Sequence, residues 1–214
     1  KKTVSHKIGS DYRFVMKYST SLHFKKTIKS KIAGSQQEAG RIRGTDMWCV
    51  LQVRQGEEES VRRQCQEKLS SDLVKNCYVF YYEEKKHIRG EWVIQEKPLF
   101  PGYVFMVTDE ADRLSDELIR IKGKTKLLES ADKVAPLSDS EVEFLKTFGG
   151  KEQTIEMSEG VIERSKVKIY SGPLVGKERY ICKIDRHKRR AYLELPMLGE
   201  RRRVQVGLEI VSKT

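Results

Sequence analysis

The alternation of apolar and polar positions changes character twice along this chain. Over residues 1–46 no period of 2 or 3.6 is sustained. A faintly amphipathic run (Leu22, Phe24, Ile28, Ile32) gives way to Gly34, Gly40 and Gly44, so disorder is the expectation. From 47 to 148 strand-like and helix-like spacings alternate. Trp48-Cys49-Val50-Leu51-Gln52-Val53 predicts a central strand. Glu57-Glu58-Glu59 then stands where a helix start favours acids, and Val61, Cys65 and Leu69 recur at i, i+4 and i+8 on one apolar face. Cys77–Tyr82 and Glu91–Glu96 are expected to pair as a hairpin across the polar stretch Glu83–Gly90. Tyr103–Val107 predicts the next strong strand and Ser115–Ile121 a second helix. Ser138 with Glu141 three positions on is a capping-box pattern, opening a third helix that carries Val142, Leu145 and Phe148. This order fits helices packed on one face of an antiparallel sheet.

Residues 149–160, two glycines followed by polar positions, read as a linker. Beyond it only period 2 remains. Val167 and Ile169, then Tyr180, Cys182 and Ile184, then Ala191, Leu193 and Leu195, then Val204 and Val206 alternate with polar neighbours. Ser171-Gly172-Pro173, the basic run 185–190 and Leu198-Gly199-Glu200 supply turns. Several short strands in so few residues are expected to close as a small β-barrel. The fold class is therefore α+β, with a mixed domain at 47–148 and an all-β domain at 161–214.

Charge sharpens this division. The net charge of +11 is unevenly spread: residues 1–46 are net +8, residues 47–165 net −5, and residues 166–214, with 13 basic and five acidic groups, net +8. A compact cation at the C-terminal end implies a polyanionic partner. The basic extension at 1–46 admits two readings. One is a tail adding non-specific affinity for nucleic acid. The other makes Met47 the natural start and 1–46 translated upstream sequence, which a mass-spectrometric N-terminus well upstream of Met47 would exclude. No apolar run approaches the ~20 residues needed to span a bilayer, so no membrane partner is expected.

Chemistry of the catalytic kind is not indicated. Cys49, Cys65, Cys77 and Cys182 lack C-x-x-C spacing and the four histidines do not cluster with them, so neither metal nor cofactor is expected. Free thiols inside apolar runs fit a reducing, cytoplasmic setting. Carboxylates sit in solvated runs, and Gly172 and Gly176 are too close, with Glu178 after Lys177, for a phosphate-binding loop. An enzyme is not expected.

Two motifs point further. In Lys97-Pro98-Leu99-Phe100-Pro101-Gly102-Tyr103 two prolines and a glycine make a rigid bend into a strand, able to present large apolar side chains outward. With a first strand opening Trp48-x-Val50-Leu51-Gln52, this Phe100-Pro101-Gly102-Tyr103-Val104 sequence resembles the N-terminal domain of the NusG family of transcription elongation factors. That resemblance implies an α/β sandwich that holds the clamp of RNA polymerase and reduces pausing, with Trp48, Phe100, Pro101 and Tyr103 as the contact residues. Lys166–Gly176, a strand followed by Gly-Pro and a second glycine, resembles the KOW signature of the family's SH3-like C-terminal barrel.

The third motif is basic. Lys183, Arg186, His187, Lys188, Arg189 and Arg190 lie about a turn, and Arg201, Arg202 and Arg203 begin a later strand. If the strands neighbour each other, both clusters fall near one edge, where arginines take phosphates and His187 and Tyr192 stack on a base. Ordinary NusG proteins are less basic here. The stretch is more similar to the LoaP branch of specialised paralogues, which implies antitermination by capture of a hairpin in nascent leader RNA, with the protein acting as a monomer. Two readings stand beside it: a general NusG whose barrel binds a termination factor or a ribosomal protein, and a KOW-type RNA-binding protein with no polymerase role.

Overall fold

The computed structural model of the chain describes residues 46–130 and 133–213. The expectation of disorder for the N-terminal extension therefore falls, apart from its last residue, outside the described residues.

Strand β1 (Met47–Gln52) lies between β5 (Tyr103–Thr108) and the short β6 (Lys126–Leu127), and β2 (Asn76–Tyr78) adds beyond β5. All three pairings are antiparallel. Cys49 and Leu51 of β1 share one sheet face with Val104 and Met106 of β5. Trp48 and Val50 share the other with Phe105 and Val107. The first face is covered by α1 (Glu58–Lys68), α2 (Ala111–Glu117) and a 3-10 turn at Leu118–Arg120, through Val61, Cys65, Leu114 and Leu118. The second packs Phe80, Phe100 and, from α3 (Asp139–Gly149), Leu145 and Phe148. Helices thus cover both faces, not one. β1 and β5 are apolar at nearly every position, as sandwiched strands are, so alternation had no face to select. The capping box at Ser138 forms: Glu141 accepts the Ser138 backbone N–H at 2.8 Å. Helix α2 begins four residues before Ser115, the start expected from sequence.

Three of the four thiols are interior and Cys182 is exposed. Burial pushes the Cys49 thiol up to about 12, and the hydrogen bond with Cys65, then burial, raises that of Cys77. Thiolates are the reactive form. Maleimide treatment of the native protein is therefore expected to add one label, at Cys182, and four after denaturation, counted by intact mass.

The hairpin is longer than its apolar residues suggested. β3 (Tyr81–Ile88) and β4 (Glu91–Pro98) pair residue for residue from Tyr81↔Pro98 to Ile88↔Glu91. The turn is only Arg89-Gly90, with φ of 51° and 92°, the left-handed pair of a type I′ turn. Glu83–Ile88, expected as a loop, is strand. Most of its outer end is solvent-exposed, so no apolar alternation marked it.

The segment 149–160, expected as a linker, also contributes strand. β9 (Thr154–Ile155) runs parallel to β3, and β10 (Ser158–Glu163) enters a second sheet. With β11 (Lys166–Ser171), β12 (Ile181–Asp185), β13 (Arg190–Met197) and the 14-residue β14 (Glu200–Lys213), that sheet has the order β11-β10-β14-β13-β12. β14 pairs antiparallel with β13 as far as Gly207 and parallel with β10 from Leu208. The expected closed barrel is not formed: among the described residues the edge strands β11 and β12 share no ladder. Their connection is instead a Gly172-Pro173 turn, the fully buried Leu174 and a 3-10 turn at Glu178–Tyr180, and proline has no N–H to extend a ladder.

One apolar cluster runs unbroken from the aromatic face of the first sheet into Ile169, Leu193, Val204 and Val206 of the second. β14 also lies against β3. A Cβ at Gly207 would drive into the backbone carbonyl of Glu83 and the side chain of Met157, so only glycine allows this approach.

Candidate functional site

The Phe100–Tyr103 bend is built by backbone hydrogen bonds. Leu99 N–H donates to the Phe80 carbonyl at 2.7 Å, and Tyr103 N–H to the Phe100 carbonyl at 3.2 Å. Pro101 and Gly102 occupy the centre, and Gly102 has φ of +83°, as a type II turn requires. Glu58 secures this turn from the start of α1: its buried carboxylate accepts Gly102 N–H at 2.6 Å and Gly56 N–H at 2.7 Å. Sequence reading saw in Glu58 only an acid at a helix start. Its reach to a turn 44 positions away has no local signal.

Of the four candidate polymerase-contact residues, Pro101 is exposed, Tyr103 half-buried, and Trp48 and Phe100 are each 5% exposed. Phe100 meets Phe105 edge-on at 5.5 Å; Trp48 stacks on Tyr78 at 5.1 Å with Lys146 over its ring. The C-terminal sheet closes over this side. Arg202 Nη1 donates to the Tyr103 hydroxyl at 3.0 Å, Phe144 packs edge-on against Tyr180, Lys177 lies over Phe148, and Leu198 N–H donates to Glu141.

The nine basic candidates divide by what they touch. Lys183, Arg186, His187 and Lys188 are exposed about the β12–β13 turn. Asp185 organises that turn by accepting the Lys188 backbone N–H at 3.0 Å. Arg189 instead pairs with Glu209 at 2.9 Å and lies 3.7 Å from the centre of the Trp92 ring. Arg190 is turned inward, donating to Gln205 at 2.7 Å and pairing with Glu84 at 3.2 Å. Arg201 and Arg203 share Glu194, and Arg202 is held by Tyr103. Among the described residues, Lys183, Arg186 and Lys188 make no ion pair.

The two clusters do not meet at one edge. Arg190 stands opposite Gly207 and Arg201 opposite Pro196. They therefore occupy opposite ends of β13, roughly 20 Å apart at the rise of a strand. A hairpin makes its strands neighbours but places residues flanking its loop far from those flanking its open end.

Beside the turn is a groove of about 480 Å³ whose lining includes Lys183, Asp185, Arg186, His187, Arg189 and Glu209. Deeper in, Glu84 is 1% exposed and lies between two cations, Lys97 at 2.6 Å from its own hairpin and Arg190 from the second sheet. Burial, and then the Glu84 carboxylate, push the neighbouring Tyr82 phenol up to about 12. Sequence reading did not single out Glu84 or Trp92. Among the described residues no cluster of His, Cys, Asp and Glu is placed to hold a metal ion, and no helix is long and apolar enough to cross a membrane.

Among known families, residues 46–146 match the one described as transcription termination factor nusG. No curated protein matches the sequence. Among solved structures, one described as "Domain interaction in Thermotoga maritima NusG" is similar at 20% identity and a TM-score of 0.48, over 76% of this chain and 94% of that one.

Proposed function

We propose that the chain is an elongation factor of the antiterminator kind. Its 47–148 domain holds RNA polymerase, and the β12–β13 turn captures a hairpin in the nascent leader RNA, as in the LoaP branch. The carrying observation is the turn itself: Lys183, Arg186 and Lys188 project from a segment that follows the region matching nusG, unpaired with any carboxylate among the described residues. Two tethered contacts on one complex reinforce each other, so modest affinities suffice to resist pausing and termination. A polymerase grip through Trp48 and Phe100 requires the C-terminal sheet to part from the Tyr103 side.

The polymerase half is tested with Pro101→Ala plus Tyr103→Ala, which spares the buried Trp48 and Phe100 but removes a half-buried ring packed against the core and the hydrogen-bond partner of Arg202. Phe100→Ala is uninformative, because emptying a buried aromatic site costs about 3–5 kcal/mol. The double variant is expected to lose co-purification with RNA polymerase and readthrough of a leader terminator in vitro, with the protein still folded and its melting temperature only modestly lowered. Polymerase binding retained alongside a lowered melting temperature would make these residues core. Capture of a ribosomal protein by the C-terminal segment, with indifference to RNA, would favour the general NusG reading.

A further inference from the structure

The RNA surface proposed above ends, on sequence grounds, at the C-terminal segment. The structure carries it across to the other domain. Lys85 of β3 and Arg189 of the turn pair with the same carboxylate, Glu209. Arg189 also lies flat over Trp92 of β4, and His87, the cross-strand partner of Trp92, stands 5.1 Å from its ring. The hairpin tip and the basic turn are thus one continuous surface, pinned at Glu209 and at Trp92.

That tip has an unusual composition for a solvated edge. Trp92 is 42% exposed, and Val93 and Ile94 beside it are 41% and 52% exposed. Arg189 lies over the ring, His87 beside it and Arg89 in the adjoining turn, with Glu91 and Glu209 as the neighbouring acids; Arg186 and Lys188 continue the basic turn beyond Arg189. An exposed aromatic within a cationic rim is the combination that binds unpaired nucleotides: the rim tracks phosphates and the ring stacks on a base, whatever its identity. Double-stranded RNA presents little base surface to a protein, whereas loops and single-stranded flanks present whole faces.

We propose that Trp92, with His87 and Arg89, forms a second RNA subsite in the NusG-type domain. It stacks an unpaired nucleotide flanking the RNA hairpin held by the β12–β13 turn. This rests on the RNA reading of that turn. Arg189 belongs to both halves: Glu209 fixes its guanidinium and the Trp92 ring supports its face. The site is formed only while hairpin and turn are docked, which makes RNA affinity a property of the two-domain protein.

Filter binding with the full-length chain separates the possibilities, using a synthetic RNA stem-loop with a single-stranded 3′ extension and a blunt duplex of the same stem. Trp92→Ala is expected to weaken binding of the extended stem-loop about tenfold or more and to leave the blunt duplex unchanged. Trp92→Phe should restore most of the loss, since it keeps a stacking ring, and Trp92→Leu should not. Arg186→Ala with Lys188→Ala should weaken both probes. If Trp92→Ala binds both probes as the wild type does while the Arg186 and Lys188 variant loses both, the hairpin subsite is overturned and the turn reading stands. If the Arg186 and Lys188 variant binds both probes normally, the turn reading falls and the subsite with it. If Trp92→Ala keeps RNA and loses polymerase, the exposed tip is a protein contact and the subsite is likewise overturned.

Discussion

Replacing Lys183, Arg186 and Lys188 together with alanine is expected to weaken binding of structured RNA about a hundredfold, with no change in thermal unfolding. Three outward cations, each losing about 1 kcal/mol of charge-assisted contact, account for that factor. All three are exposed and, among the described residues, make no ion pair; Lys183 lies over the Tyr192 ring at 5.6 Å, so little that the fold uses is lost. The salt dependence should report the same count. Each phosphate neutralised contributes about −0.7 to −0.9 to the log–log slope, so wild type and variant should differ by about 2 to 3. The difference is more informative than the wild-type slope, because the basic residues of 1–46 can add to both. A variant whose slope matched the wild type would place the phosphate contacts elsewhere.

Arg190→Ala should behave in the opposite way, as a stability variant. Glu84 is 1% exposed, and removing Arg190 leaves it, among the described residues, with Lys97 as its one cation and the Tyr82 hydroxyl as a neutral donor. Breaking a buried pair from one side typically costs 3–5 kcal/mol, and the remaining lysine argues for the lower end, about 3 kcal/mol. For a chain of this size that lowers the melting temperature by about 6–12 °C. Glu84→Gln in the same chain should recover most of the loss, because the stranded charge is then gone. A melting temperature unchanged by Arg190→Ala would mean that the pair carries no stability, and would return Arg190 to the RNA-facing set.

These two variants mark where the sequence was legible. Sequence identified the segment as cationic, and charge density needs no structure to be seen. It could not separate Arg186 from Arg190. Four positions apart, they differ in what lies within reach: Arg190 meets Gln205 of β14 and Glu84 of the β3–β4 hairpin, partners that only the tertiary fold supplies. The strands β1, β5, β13 and β14 were readable because apolar runs and alternation report burial directly. The capping box at Ser138 and the bend at Pro101-Gly102 were readable because their chemistry is local. The outer half of the β3–β4 hairpin was not, since a strand exposed along its length has no pattern to show. Sheet closure was not either. Alternation says that strands exist, whereas the Gly172-Pro173 turn and Leu174 decide whether the last edges meet. Trp92 escaped for a third reason: an exposed aromatic on a polar strand means little until Arg189 is found above it.

That pairing has an optical consequence. The chain contains two tryptophans in opposite surroundings. Trp48 is enclosed and stacked on Tyr78, so its emission follows the unfolding of the first sheet. Trp92 is open to water, with a guanidinium on its face and an imidazole beside it, so its emission follows the docking of hairpin against turn. With Trp48 replaced by phenylalanine, the remaining indole reports on the contact between the β3–β4 hairpin and the β12–β13 turn alone. Titrating polymerase or RNA against that single signal would show, without any added dye, whether either one alters that contact.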